Sequence, residues 1–163
     1  MERIVEKIVI VAMDEDRVIG KDGDIPWHYP EDMEHFRQET MGSPVLMGRK
    51  TYFSIPEDFR PLEARKNIVL TRSDPDLPGE VEKAGSLEEA WSKAEEYGEK
   101  VYVIGGSSVY RQVLVEADRM IVTRIHQGFE GDSYFPEWSE EKWKQVSRDD
   151  RGEISFIEYG RKN

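Results

Sequence analysis

The sequence predicts an α/β fold built on a mixed, mostly parallel sheet, and three observations carry that expectation. Continuous β-branched apolar runs recur through the first two thirds of the chain, an amphipathic helical stretch separates two of them, and the last third has strand-like segments without a long helix. The first run, Ile8-Val9-Ile10-Val11-Ala12-Met13, has no polar alternation. Such a strand is buried on both faces and belongs in the middle of a parallel sheet. Pro30 to Arg37 reads as a helix with Pro30 near its first turn and Met33 and Phe36 on its apolar side. Further strands are expected at Val45-Leu46-Met47, Ile68-Val69-Leu70 and Val101-Tyr102-Val103-Ile104. Between the last two, Leu87, Ala90, Trp91 and Ala94 fall on one helical stripe within Ser86 to Tyr97. Ser86 with Glu89 forms a capping box there, and Gly98 supplies the stop. Arg119 to Ile125 and Ile154 to Tyr159 read as an antiparallel pair on the sheet edge, joined by Gly- and Asp-rich turns. Strands alternating with helices imply right-handed crossovers and a layered domain.

The chain has 163 residues, no internal repeat and no linker, so one domain spanning 1–163 is expected. Hydrophobic residues make up 37% and charged residues 35%, with 10% aromatic. That aromatic content and the apolar runs exclude a disordered chain. The net charge of −11 opposes a surface built for nucleic acid or anionic lipid, both of which need a basic footprint. Without Cys there is no disulfide, thiolate nucleophile or cysteine metal site, which fits a reducing compartment. No stretch approaches a membrane span and Met1-Glu2-Arg3 opens no signal peptide, so a cytoplasmic protein is expected. The acid surplus also suits a protein that stays soluble in concentrated salt.

In open α/β sheets ligands bind beyond the carboxyl ends of the strands. Gly48-Arg49-Lys50-Thr51 follows the second run and combines a glycine, two cations and a hydroxyl at a helix start, which makes an anion site. The same residues also make an ordinary turn with a solvated basic face. Thr71-Arg72-Ser73 follows the third run and Gly105-Gly106-Ser107-Ser108 the fourth. Paired glycines let backbone approach a ligand closely, or simply turn the chain. Together the three ends point to an extended, phosphate-bearing cofactor. His28, His35 and His126 have no metal-ligand spacing, so no metal is expected, and His28 and His35 read as surface residues. Asp32 lies at a helix start beside Met33 and Phe36; taken alone, it is a carboxylate that merely favours a helix N-terminus.

Several blocks resemble the dihydrofolate reductase family in order and spacing. They are Asp16-Arg17-Val18-Ile19-Gly20, Ile25-Pro26-Trp27, Asp32, Pro44 to Thr51 and Arg65-Lys66-Asn67-Ile68-Val69-Leu70. The match continues through Val103-Ile104-Gly105-Gly106, Tyr110, Thr123, Glu130-Gly131-Asp132 and Tyr134-Phe135-Pro136, covering about residues 8 to 159. The resemblance implies a three-layer fold with an eight-stranded mixed sheet, four flanking helices and an antiparallel C-terminal edge. It implies hydride transfer from NADPH to C6 of dihydrofolate with protonation of N5, by a monomer with no nucleic-acid or membrane partner.

Residue by residue, the resemblance places Asp32 as the one active-site carboxylate, supported by Thr123 through its hydroxyl and a water, with Trp27 beside it. Ala12, Met33, Phe36, Ile55 and Leu62 would wall the substrate cavity, and Arg65 would hold the glutamate α-carboxylate. Arg49, Arg72 and Ser73 would surround the 2′-phosphate, implying NADPH over NADH. Ala12, Ile19, Gly20, Gly48, Lys50, Thr51 and Thr71 would also touch the cofactor. So would the stretch Ile104, Gly105, Gly106, Ser107, Ser108, Val109 and Tyr110, with a cis peptide between the two glycines. Asp14 to Tyr29 would form a mobile loop over the nicotinamide, with Ile25 and Asp132 controlling it. Burial raises the pKa of an acid at Asp32 and the helix start lowers it, leaving the net direction open.

Three departures stand out. Pro56-Glu57-Asp58-Phe59-Arg60-Pro61 is longer than in the compact bacterial pattern, Glu63-Ala64 replaces a common Pro-Gly, and Tyr52 replaces a more usual tryptophan. The nearest alternative is a pyrimidine or pteridine reductase on the same scaffold, which Asp32 beside Pro26-Trp27 argues against. A binding module without catalysis is the other.

Overall fold

A computed structural model describes residues 5–162, so the Met1-Glu2-Arg3 start lies outside the described residues. Strand β1 (Glu6–Asp14) runs through the centre of an eight-stranded sheet and alternates its side chains between two cores. Val9, Val11 and Met13 face one core, and Ile8 and Ile10 the other, which is why the run shows no polar alternation. The remaining strands are β2 (Val18–Gly20), β3 (Val45–Gly48), β4 (Asn67–Leu70), β5 (Glu82–Ala84) and β6 (Lys100–Val103). They continue with β7 (Arg119–Ile125), β8 (Ser133–Tyr134), β9 (Trp143–Asp150) and β10 (Ile154–Arg161). The main sheet has the order β5-β4-β3-β6-β1-β7-β10-β9, and β2 pairs with β8 in a separate ladder.

Among the described residues, four α-helices cover the two faces, with a short 3₁₀ turn at Glu57–Phe59. Helices α3 (Leu87–Glu95) and α4 (Ser107–Leu114) pack Ala90, Trp91, Ala94, Val109 and Val113 against Val9 and Val11. Helices α1 (Pro30–Thr40) and α2 (Arg49–Ser54) bring Phe36 and Tyr52 to the other face, against Ile8, Ile10 and Ile121. The result is the expected three-layer arrangement.

Several local expectations are altered. The Ser86 hydroxyl accepts from the Glu89 N–H at 3.1 Å, but the Glu89 carboxylate accepts from the Gly85 N–H at 3.0 Å, so the reciprocal half of the box moves one residue outward. Strand β7 is antiparallel to β10 as expected but parallel to β1, so it is interior; the edge is β9. Only Trp143 of β9 is buried, and its exposed, charged remainder leaves no apolar pattern to read. His35 is not a simple surface residue. Its ring stacks on Phe156 with centroids 4.1 Å apart, and its Nε2 is buried without a partner.

Candidate active site

The carboxyl ends of β1, β3, β4, β5 and β6 open into one cleft of 1510 Å³. At the β1 end it is lined by Ala12, Ile19, Gly20, Trp27, Asp32 and Met33. Register explains how a helix residue and a strand residue meet there. Ala12 pairs with Thr123 across β1 and β7, and α1 crosses that face. The Thr123 hydroxyl donates to Asp32 Oδ1 at 2.6 Å, although the two are 91 residues apart. This is the hydrogen bond to Asp32 among the described residues, so the carboxylate keeps accepting capacity toward the cleft. Burial pushes its pKa up, and the Thr123 hydrogen bond and then the His35 charge only partly oppose this. The direction left open by the sequence is therefore upward.

The segment from Asp14 to Tyr29 lies over this end of the cleft and is fastened to 126–137 at several points. The buried Asp14 carboxylate accepts from the N–H groups of Asp16, Val18 and Phe129 at 2.8–2.9 Å. The Phe129 ring lies 5.2 Å from that of Trp27. Lys21 pairs with Glu130 at 3.0 Å, and Asp132 accepts from the Asp22 N–H at 2.9 Å. The ladder also requires glycine at 131, because a Cβ there would come within 2.3 Å of Val18 Cγ1 and 2.8 Å of the Gly20 carbonyl. Ile25, on the same segment, is 59% exposed and lines the cleft.

Away from β1, Gly48, Arg49, Lys50, Thr51, Thr71, Arg72, Ile104 and Gly106 through Tyr110 line the cleft. The Gly105-Gly106 peptide is cis, and the Gly48 N–H donates to the Gly105 carbonyl at 2.9 Å. Gly105 has φ +114, and a Cβ there would sit 3.1 Å from the Tyr110 ring. That ring is itself fixed by a 2.8 Å hydrogen bond from its hydroxyl to the Ile10 carbonyl. The wall near α4 is thus bare backbone held from behind. Three cations at strand and helix ends, with free N–H groups at the α4 start, fit a dinucleotide carrying an extra phosphate.

Of the remaining residues implied by the resemblance, Phe36, Leu62, Arg65, Ser73, Gly105, Thr123 and Asp132 do not line the cleft itself. Phe36, Ile55 and Leu62 pack on the core beneath it, and Ile55 also reaches the lining. Arg65 lies 5.9 Å from the Phe36 ring centroid and donates to the Thr40 hydroxyl and the Glu63 carbonyl. Ser73 exchanges a 2.9 Å hydrogen bond with Thr71. In the extended segment, the Arg60 guanidinium donates to the Phe53 and Ile55 carbonyls, and the Arg60-Pro61 peptide is cis. Ala64 takes φ +59 where the family commonly has glycine. The structure adds Leu70, Ser86, Leu87, Glu88 and Gln112 to the lining. Ser86 to Glu88 follow β5, whose three residues carry no apolar run to flag its end.

Comparison with known proteins shows the family. The sequence pattern of the family described as dihydrofolate reductase matches residues 7–160. Dihydrofolate reductase HdrB of Haloferax volcanii is 44% identical over 95% of this chain and 83% of its own. The Bacillus subtilis dihydrofolate reductase is 41% identical over 94% of each chain. A solved dihydrofolate reductase from Enterococcus faecalis, complexed with NADP(H) and RAB-propyl, superimposes with a TM-score of 0.86 over 97% of both chains at 32% identity. With the family pattern matching nearly the whole length and the fold shared with a solved member, the chain belongs to the dihydrofolate reductase family.

Proposed function

We propose that the protein binds dihydrofolate at the Ala12–Asp32 end of the cleft and NADPH along the strand ends beside it, with Asp32 as the one carboxylate of the reaction. As a member of its family the protein reduces 7,8-dihydrofolate to 5,6,7,8-tetrahydrofolate with NADPH. The reduced nicotinamide, when bound, supplies the hydride. The chain's own work is alignment and electrostatics. Asp32 accepts the pterin ring N–H and amino group as a bidentate pair, which fixes the ring plane. Thr123 holds the Asp32 carboxyl in orientation from below, and Trp27 closes the wall beside it. The proton for N5 enters from solvent past the Asp14–Tyr29 segment. Arg49, Arg72 and Ser73 hold the 2′-phosphate, Arg65 the substrate α-carboxylate, and the Gly105-Gly106 backbone and Tyr110 support the nicotinamide.

The observation that carries this reading is a desolvated carboxyl, partnered among the described residues only by Thr123, beside a cation-lined extension of the same cleft. No helix among the described residues is long and apolar enough to cross a membrane. A cytoplasmic monomer without nucleic-acid or membrane partners completes the proposal. The test is NADPH oxidation with dihydrofolate by wild type and Asp32→Asn across pH. Wild-type turnover that drops about 100-fold or more in the variant, with NADPH binding retained, is expected. A variant as fast as wild type would remove Asp32 from the mechanism, and NADPH binding without turnover by the wild type would point to another reductase of this fold.

A further inference from the structure

Glu15, His126, Ser155 and Asp150 form an unbroken hydrogen-bonded chain that no step above uses. The Glu15 carboxylate is 2.5 Å from His126 Nδ1, His126 Nε2 is 2.7 Å from the Ser155 hydroxyl, and that hydroxyl donates to Asp150 Oδ1 at 2.5 Å. Four stretches of chain meet here. Glu15 follows β1 at the start of the segment over the cleft, His126 follows β7, Ser155 is in β10 and Asp150 ends β9. Ser155 is fully buried, His126 is 30% exposed and Glu15 is 53% exposed.

Counting hydrogens decides the state of the ring. Ser155 has one hydroxyl hydrogen, and Asp150 takes it. The Asp150 carboxyl is held below its usual range by Ser155 and then Arg148, so it is an acceptor only. The Ser155 oxygen must therefore accept from Nε2–H, while the Glu15 carboxylate accepts from Nδ1–H. A neutral imidazole has one such hydrogen; the imidazolium has both. The charged groups around the ring are Glu15 on the loop, Asp150 and Arg148 on β9, and Arg124, which pairs with Ser155 in the register. The Arg124 guanidinium is committed to the Asp14 carbonyl at 3.0 Å, and the His126 N–H to the Glu153 carbonyl at 2.8 Å.

We propose that this chain is a clamp, complete only with His126 as imidazolium, that ties the base of the Asp14–Tyr29 segment to β9 and β10, and that His126 is thereby a positioning residue for turnover. The consequence for turnover rests on the function proposed above. His126 touches no reacting atom; it acts through Glu15, next to the Asp14 carboxylate that fastens Asp16, Val18 and Phe129.

The test pairs imidazole nitrogen spectra of the ligand-free protein with steady-state kinetics from about pH 5.5 to about 8.5, for wild type, His126→Gln, Glu15→Gln and Ser155→Ala. At acidic pH both ring nitrogens of wild-type His126 carry hydrogens, and Glu15→Gln and Ser155→Ala each shift the nitrogen they face. His126→Gln lowers kcat about threefold to tenfold at acidic pH with the KM for dihydrofolate within about twofold, and the difference narrows as pH rises. Parallel pH profiles for wild type and His126→Gln, or ring spectra indifferent to Glu15→Gln and Ser155→Ala, would overturn the clamp. If wild type fails to turn over dihydrofolate, the function falls but the nitrogen spectra still decide whether the chain exists.

Discussion

Asp14 ends β1, Asp32 meets that end of the sheet through Thr123, and the two show two ways of burying a carboxylate. Asp14 is fully buried and satisfied by three backbone N–H groups from two loops. It does not line the cleft, and its hydrogen bonds hold the covering segment to Phe129. Asp32 is less buried but far less satisfied, with one hydroxyl partner among the described residues and a face open to the cleft. Burial costs a polar group little when its hydrogen bonds are replaced and much when they are not. The difference between the two sites is therefore one of satisfaction: one carboxylate is used up by the fold's backbone, the other keeps accepting capacity toward the cleft.

Replacing each acid in turn tests that contrast. Asp14→Ala leaves three N–H groups without their acceptor and is expected to cost about 3 kcal/mol of stability, read by urea denaturation. A loss under about 1 kcal/mol would mean that water replaces the carboxylate and that Asp14 holds nothing. Arg72→Gln probes the cationic end of the cleft, where the KM for NADPH should rise about tenfold and the KM for NADH stay nearly constant. Equal changes for both cofactors would place the 2′-phosphate elsewhere. Asp132→Ala removes the acceptor of the Asp22 N–H on the Asp14 side of the comparison. Turnover should fall about threefold to tenfold with little change in dihydrofolate binding. A change confined to the Michaelis constant would contradict that role.

The smallest expected effect sharpens the contrast most. Because the Asp32 carboxyl is raised in the folded protein, the native state binds its proton more tightly than the unfolded chain. Asp32 therefore lowers stability as pH rises from the ordinary aspartate range through its raised folded value, and the cost stays constant above that. Asp32→Asn should melt at the same or a higher temperature than wild type at neutral pH, while the two converge at strongly acidic pH. A clearly lower Tm for the variant at neutral pH would show that Asp32, like Asp14, serves the fold.

Much of this molecule is written locally. The central strands announce themselves as uninterrupted apolar runs because both their faces are buried, and their ends are marked by glycines, cations and hydroxyls within a few residues. The order and spacing of these blocks also carry the family likeness. Strand β9 was not legible, because seven of its eight residues face water and only pairing with β10 makes it a strand. Likewise β2 and β8 are three and two residues long and exist only as each other's partners. The meaning of the two acids lay further still from the local pattern. Nothing near Asp14 distinguishes it from a turn residue until Phe129 arrives from 115 positions away, and nothing near Asp32 sets the direction of its pKa until Thr123 and the cleft surround it. Periodicity and turn chemistry act between neighbours in the chain, and so the residues alone settle the central apolar strands and where those strands end. Desolvation and hydrogen-bond satisfaction act between neighbours in space, and so only the packed protein decides which carboxylate keeps accepting capacity toward the cleft.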